Sequence, residues 1–154
     1  MPSLLVLLPL LALQSQTQTL TVNELSLGGA MVFLDHPFAG AELGLAHRPS
    51  TESRIALAVA GGTTHENAAL RAQLTVQVLI NSFARSGPGV YAGLGAAYAG
   101  QQGVPGQGFL AVLVGVERAP GRRNGWYVEL GFCGGVRAAV GWRLRKFPQW
   151  WGAR

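Results

Sequence analysis

The chain has 154 residues, 12% charged and 49% hydrophobic, with 22 glycines, one cysteine and a formal net charge of +5. That length is one domain's worth, and a lone Cys133 excludes an intramolecular disulfide and any multi-cysteine metal centre. The basic residues are scattered, with no run longer than Arg122-Arg123, so the clustered patch that nucleic-acid binding requires is missing.

Residues 1–18 open with Pro and Ser, continue through a leucine-rich run over 4–13 and end in a Gln/Ser/Thr stretch. This order predicts a secretory signal peptide, with cleavage expected after Ser15. A buried strand or helix is the alternative reading of the same run. It is too short for a membrane-spanning helix, which needs about 18 or more apolar residues. Elsewhere, hydrophobic residues are interrupted at every second position or by glycine. A membrane protein built without spanning helices must be a closed barrel, because open strands leave backbone groups unsatisfied in lipid.

From residue 23 onward the chain divides into eight segments of strand length: 23–34, 38–48, 53–62, 69–82, 90–100, 108–118, 125–133 and 136–147. The breaks between them are rich in Gly, Pro, Asn, Asp and Ser, residues that supply the backbone angles of turns. Asn124-Gly125 is a hairpin pair. The longest break toward the expected outer side, 61–68, is modest. Transmembrane strands need about 9–11 residues, and most of these segments comply.

Side chains alternate faces along a strand, so a barrel in lipid must confine its charges to one parity. Glu42 opposes Leu43 and Leu45; Arg71 opposes Leu74, Val76, Val78 and Ile80; Glu117 opposes Leu110, Val112, Val114 and Val116. Glu129 opposes Trp126, Val128, Leu130 and Phe132, and Arg137, Arg143 and Arg145 oppose Val136, Val140, Trp142 and Leu144. Glu24 and Arg54 obey the same rule. Nine agreements would arise by chance about once in 500. The charged parity also carries small residues such as Gly28, Ala30, Gly44, Ala58, Gly93 and Gly141, which suit the narrow interior of an eight-stranded barrel. Charges removed from water must find partners, so Glu24, Glu42, Arg54, Arg71, Glu117, Glu129, Arg137, Arg143 and Arg145 are expected to form an ionic network in the lumen.

Aromatic residues fall near strand ends. Phe83, Tyr91, Trp126, Tyr127, Trp142 and Phe147 are expected at the rim nearer the chain termini, and Phe33, Phe38, Tyr98 and Phe132 at the opposite rim. Two girdles of this kind mark the membrane–water interfaces of transmembrane barrels.

On strand count, parity, glycine content and rim aromatics, residues 20–147 resemble the small outer-membrane β-barrel family, in the OmpA/OmpX-like size class. The resemblance implies an all-β, antiparallel, up-and-down transmembrane barrel of eight strands behind a signal peptide, followed by a short tail over 148–154. It further implies export by the general secretory route to the outer membrane of a diderm bacterium. The partners implied are outer-membrane lipid, periplasmic chaperones and the barrel-insertion machinery, which reads a terminal aromatic; the segment 141–147, ending in Phe147, resembles that signal. A structural, membrane-integrity role follows. Long receptor-type loops are lacking, and a large pore is not expected, since porins use about 16–18 strands.

Two other functions compete with this one. Some barrels of this size modify lipid A with a His, a Ser and an acid at the outer rim, and His36 beside Asp35, or His65 beside Thr64 and Glu66, would be the candidates. A nucleophile–base pair demands hydrogen-bond reach, which sequence does not supply. The three histidines, His47 included, lie in different turns without metal-ligand spacing. A soluble lipocalin-like carrier is the other architecture, and it requires an apolar lumen. The run Gly93-Leu94-Gly95-Ala96-Ala97-Tyr98 starts like a dinucleotide fingerprint but lacks the third glycine and a following helix. No cofactor, metal site or catalytic residue is expected.

Overall fold

The computed structural model describes residues 20–33 and 35–153. The expected signal peptide, with its cleavage point at Ser15, lies outside the described residues. Eight strands follow one another: β1 (Val22–Phe33), β2 (Phe38–Arg48), β3 (Ser53–Thr64), β4 (Asn67–Ile80), β5 (Pro88–Gln101), β6 (Val104–Arg118), β7 (Asn124–Phe132) and β8 (Val136–Lys146). Each pairs antiparallel with its neighbours in sequence, and β1 pairs with β8, so the sheet is a closed barrel. Closure removes the free edges that an open sheet would present.

The parity read from sequence is the parity of the barrel. Even-numbered residues of β1 to β3 and odd-numbered residues of β4 to β8 face inward. Register keeps this consistent around the ring: Glu24 stands opposite Arg145 on β8 and Gly28 opposite both Glu42 on β2 and Gly141 on β8. Leucine, valine and isoleucine fill the outward positions, from Leu27 on β1 to Val140 and Leu144 on β8.

Two connections are tighter than the sequence suggests, and the β7–β8 connection is one residue longer. The segment 61–68, read as the longest outer loop, is a turn of two residues, His65 and Glu66, between strands that extend to Thr64 and begin again at Asn67. Thr63, Thr64 and Asn67 look like loop formers, yet they continue the ladder. Both turn residues are left-handed, with φ of 50° and 70°, the geometry that matches the twist of a two-residue hairpin. The β5–β6 connection shrinks in the same way to Gln102-Gly103, with Gly103 at φ 79°. The β7–β8 connection begins at Cys133, whose amide donates to the carbonyl of Gly135.

One end of the barrel holds these hairpins; the other holds both termini of the barrel and the turns after β2, β4 and β6. We call them the hairpin end and the terminal end. At the hairpin end, β6 pairs with β7 only from Val112 to Glu117, while its pairing with β5 reaches Val104. The β5–β6 ribbon therefore overhangs the barrel. At the terminal end, residues Gln149–Ala153 form a single 3-10 turn. Trp151 of that turn packs against Phe83 and Phe147, with ring centroids 5.6 and 5.5 Å away, and its Nε1 donates to the Gly121 carbonyl at 3.1 Å.

Candidate functional site: a charged core inside the barrel

The lumen is filled by side chains, and most of its largest are polar. Toward the terminal end, Glu24 of β1 and Glu117 of β6 sit among Arg48 of β2, Arg54 of β3 and Arg143 and Arg145 of β8. Glu117 is the hub. Its Oε1 accepts from Nη2 of Arg54 at 2.7 Å and of Arg48 at 3.1 Å; its Oε2 accepts from Nη1 of Arg143 at 2.6 Å and Nη2 of Arg145 at 2.7 Å. Glu24 pairs with Arg54 Nε at 2.9 Å and Arg48 Nη2 at 2.5 Å. Arg54 also donates to Gln77 of β4 at 3.1 Å, and Gln77 in turn to Thr75 at 3.0 Å.

A second group lies nearer the hairpin end. Arg137 of β8 bridges Glu129 of β7, at 2.8 Å, and Glu42 of β2. Tyr91 of β5 joins the two groups. Its hydroxyl donates to Glu129 Oε2 at 2.8 Å, and Arg143 Nη2 lies 3.5 Å from the same hydroxyl. The Arg143 guanidinium also rests over the rings of Tyr127 and Tyr91, 4.5 and 5.3 Å from their centroids. All eight strands thus supply a side chain to one connected set.

Burying an ion from water costs several kcal/mol even after relaxation, so such charges persist only with close, multiple partners. The arrangement meets that requirement by giving Glu24, Glu117 and Glu129 at least two donors or cations each, while Glu42 relies on Arg137. Planar guanidinium forks suit this geometry, because each arginine can serve two acceptors at once.

The expected lumen residues occupy inward positions, and eight of the nine take part in this set. Arg71 stands apart. Its Nη1 donates to the Cys133 carbonyl at 3.2 Å, and its guanidinium lies over the Phe38 ring at 5.5 Å. Arg48 and Tyr91 are members of the set that the sequence reading left out. Parity could have placed both: Arg48 is six residues after Glu42, and Tyr91 two before Gly93. Arg48 sits at the edge of a turn, and Tyr91 had been assigned to the rim.

Of the expected rim aromatics, Phe33, Tyr98, Trp126, Phe132 and Trp142 point outward, and Trp126 and Trp142 are register partners on β7 and β8. Tyr91, Tyr127 and Phe38 are corrections. All three lie inside the barrel, 1%, 1% and 0% exposed, because each shares the parity of the inward residues on its strand. Phe147 follows β8 and is half-buried, stacked on Trp151 rather than directed outward. Trp150 and Trp151 were not singled out, since the tail beyond residue 147 carried no strand pattern.

The space left inside is small. A cavity of about 20 Å³ is bounded by Phe38, Glu42, Arg71, Gln73, Cys133 and Arg137, room for about one water. Beyond the barrel mouth, at the hairpin end, His36 and His65 come together with ring centroids 4.8 Å apart, though they are 29 positions apart in sequence. Among the described residues no three His, Cys, Asp or Glu side chains are grouped to hold a metal ion. Burial pushes the Cys133 thiol above its ordinary pKa, and the nearby Arg137 and Arg71 oppose that shift.

A closed antiparallel barrel of eight strands with an apolar outside and a charged interior has the architecture of the small outer-membrane β-barrels. The N-terminal β-barrel domain of OprF from Pseudomonas aeruginosa superimposes with a TM-score of 0.62 at 13% identity, covering 82% of this chain and 97% of that one. Ail, the attachment invasion locus protein of Yersinia pestis, gives 0.54 at 13% identity over 84% of this chain and 100% of that one. Neisserial surface protein A gives 0.53 at 12% identity over 81% and 95%. No protein-family model and no curated protein matches the sequence, so the likeness is one of fold.

Proposed function

We propose that the chain is an integral outer-membrane barrel whose role is structural: a lipid-embedded cylinder with a sealed, ion-paired interior that supports the integrity of the membrane. The observation that carries this reading is the sidedness of the wall. Leu110, Ile80 and Leu27 are 67%, 66% and 64% exposed on the outside, whereas Glu117 and Arg54 are 1% and 0% exposed within. An exterior of large apolar side chains wrapped around buried charge is the reverse of a water-soluble protein, and lipid is the solvent it fits.

The sealed lumen supports a structural role over transport. The Glu117 set crosses the barrel from β3 to β6 and β8, and the cavity beside Glu42 and Arg137, about 20 Å³, has room for about one water. A lipocalin-like carrier would need an apolar interior, and arginine–glutamate pairs fill this one. Delivery in this reading follows the general secretory route behind residues 1–18, with periplasmic chaperones and the barrel-insertion machinery as partners and Phe147 as the terminal aromatic. No catalytic step is assigned: His36 and His65 pack on each other.

Electrophoresis of protein folded in detergent, with and without boiling, tests the reading. A closed transmembrane barrel resists SDS when cold and changes mobility on heating. Solubility without detergent, together with unchanged mobility, would overturn it.

A further inference from the structure

The exposed charges of this barrel are divided between its two ends. Arg85, Arg118, Arg122, Arg123 and Lys146 are exposed at the terminal end, where Glu52 is the one exposed acid among the described residues. The hairpin end exposes Asp35 and Glu66 and, among the described residues, no exposed lysine or arginine. The five cations are not evenly spread. Four of them, with Arg145, line a groove of about 720 Å³ between the β6–β7 turn and the C-terminal segment, and no carboxylate side chain is among its lining residues.

The groove has a built wall. Trp151 forms one side, fixed by its bond to Gly121 and its contacts with Phe83 and Phe147. Arg85 lies over the Trp151 ring, 5.0 Å from its centroid, and donates to the Trp151 carbonyl at 2.9 Å. Arg145 donates to the Arg122 carbonyl at 3.3 Å, which ties the groove to the charged core. Arg122, Arg123 and Lys146 have no side-chain ion pair among the described residues, so their charges are available.

We infer that this groove binds the phosphate headgroup of an anionic phospholipid in the leaflet at the terminal end; the inference rests on the transmembrane reading above. Three observations favour a lipid over other anions. A neighbouring hollow shares Arg85, Arg122 and Asn124 with the groove and reaches the outward ring of Trp142, and indole rings sit where the membrane meets headgroups. Its own wall joins an indole to guanidinium groups, an apolar surface next to phosphate donors. The opposite rim lacks such cations, so the preference belongs to one leaflet only. Each cation near an anionic surface strengthens association about fivefold.

Native mass spectrometry of the detergent-folded barrel with phosphatidylglycerol or phosphatidylcholine tests the inference. Retention of phosphatidylglycerol at least about 25-fold above phosphatidylcholine is expected, falling by about that factor in the Arg122→Gln/Arg123→Gln variant and falling with salt. Equal retention of both lipids would overturn the inference, as would a variant that binds like the parent. A thermal shift produced as strongly by inorganic phosphate alone would also overturn it, by identifying a free-anion site. Heat-modifiable mobility, recorded on the same samples, separates the two failures: its loss refutes the transmembrane reading, its retention without lipid preference refutes only the groove. Both substituted arginines are exposed turn residues, so folding of the variant can be verified by the same shift.

Discussion

Glu117 on β6 and Arg54 on β3 meet 2.7 Å apart across the lumen, although their strands lie three places apart around the barrel. The tie does what backbone ladders cannot, because ladders hold only neighbouring strands. Glu117→Gln would leave Arg48, Arg54, Arg143 and Arg145 around a neutral amide. Loss of one partner of a buried ion pair costs about 3–5 kcal/mol. The temperature of the mobility transition should therefore fall well below the parent's, and an unchanged temperature would remove the core from any account of stability.

Tyr91 and Arg143 together join the two charged groups, since Arg143 pairs with both Glu117 and Glu129. Tyr91→Phe keeps the ring under Arg54 and Arg143 but deletes the donor to Glu129. A buried carboxylate deprived of one hydrogen bond costs about 1–3 kcal/mol. The loss should show in denaturant midpoints, and it should not add to that of Glu117→Gln, since both act on Arg143.

Two glycines close the barrel where β1 meets β8. A methyl group on Gly28 would fall on the carbonyl oxygen of Val140 and 2.7 Å from the Gly141 Cα, both backbone atoms that cannot turn aside. Gly28→Ala should give no heat-modifiable species, whereas Gly61→Ala, with nothing within 4 Å, should fold like the parent. Equal yields of both folded variants would contradict the seam geometry.

Cys133 should react slowly with a bulky maleimide in the folded barrel. It is buried, and its pKa is raised, so less thiolate is present at any given pH. At pH 8, labelling should be at least about tenfold slower than in boiled protein. The sign for stability follows: below about pH 8.5 both folded and unfolded thiols are neutral and nothing changes, while above it the unfolded thiol ionises first and stability falls as pH rises. Rapid labelling of the cold, SDS-resistant form would show that Cys133 is not enclosed.

Most of this architecture was legible because a period of two is a strong signal when one face is apolar. Glu42 amid Leu43 and Leu45 leaves no choice of face. The tight hairpins were not legible, since Thr64 and Asn67 have turn chemistry and only their partners across the ladder make them strand residues. The same limit hid the His36–His65 pair, which exists because two hairpin tips are neighbours. Nearness to a strand end points Tyr91, Tyr127 and Phe38 to a rim, whereas their parity puts them inside. Trp151 carried no periodic signal; its position depends on Phe83 and Gly121, far away in sequence.

The overhanging β5–β6 ribbon gives this closed cylinder one bare border, residues 104–111 of β6 beyond the reach of β7. Such a border invites strand-to-strand adhesion between copies. Pro105 has no amide hydrogen to offer a newcomer, and Gly106 and Gly108 on either side of Gln107 resist being held extended. The rim of the ribbon is therefore a poor template for a strand from outside.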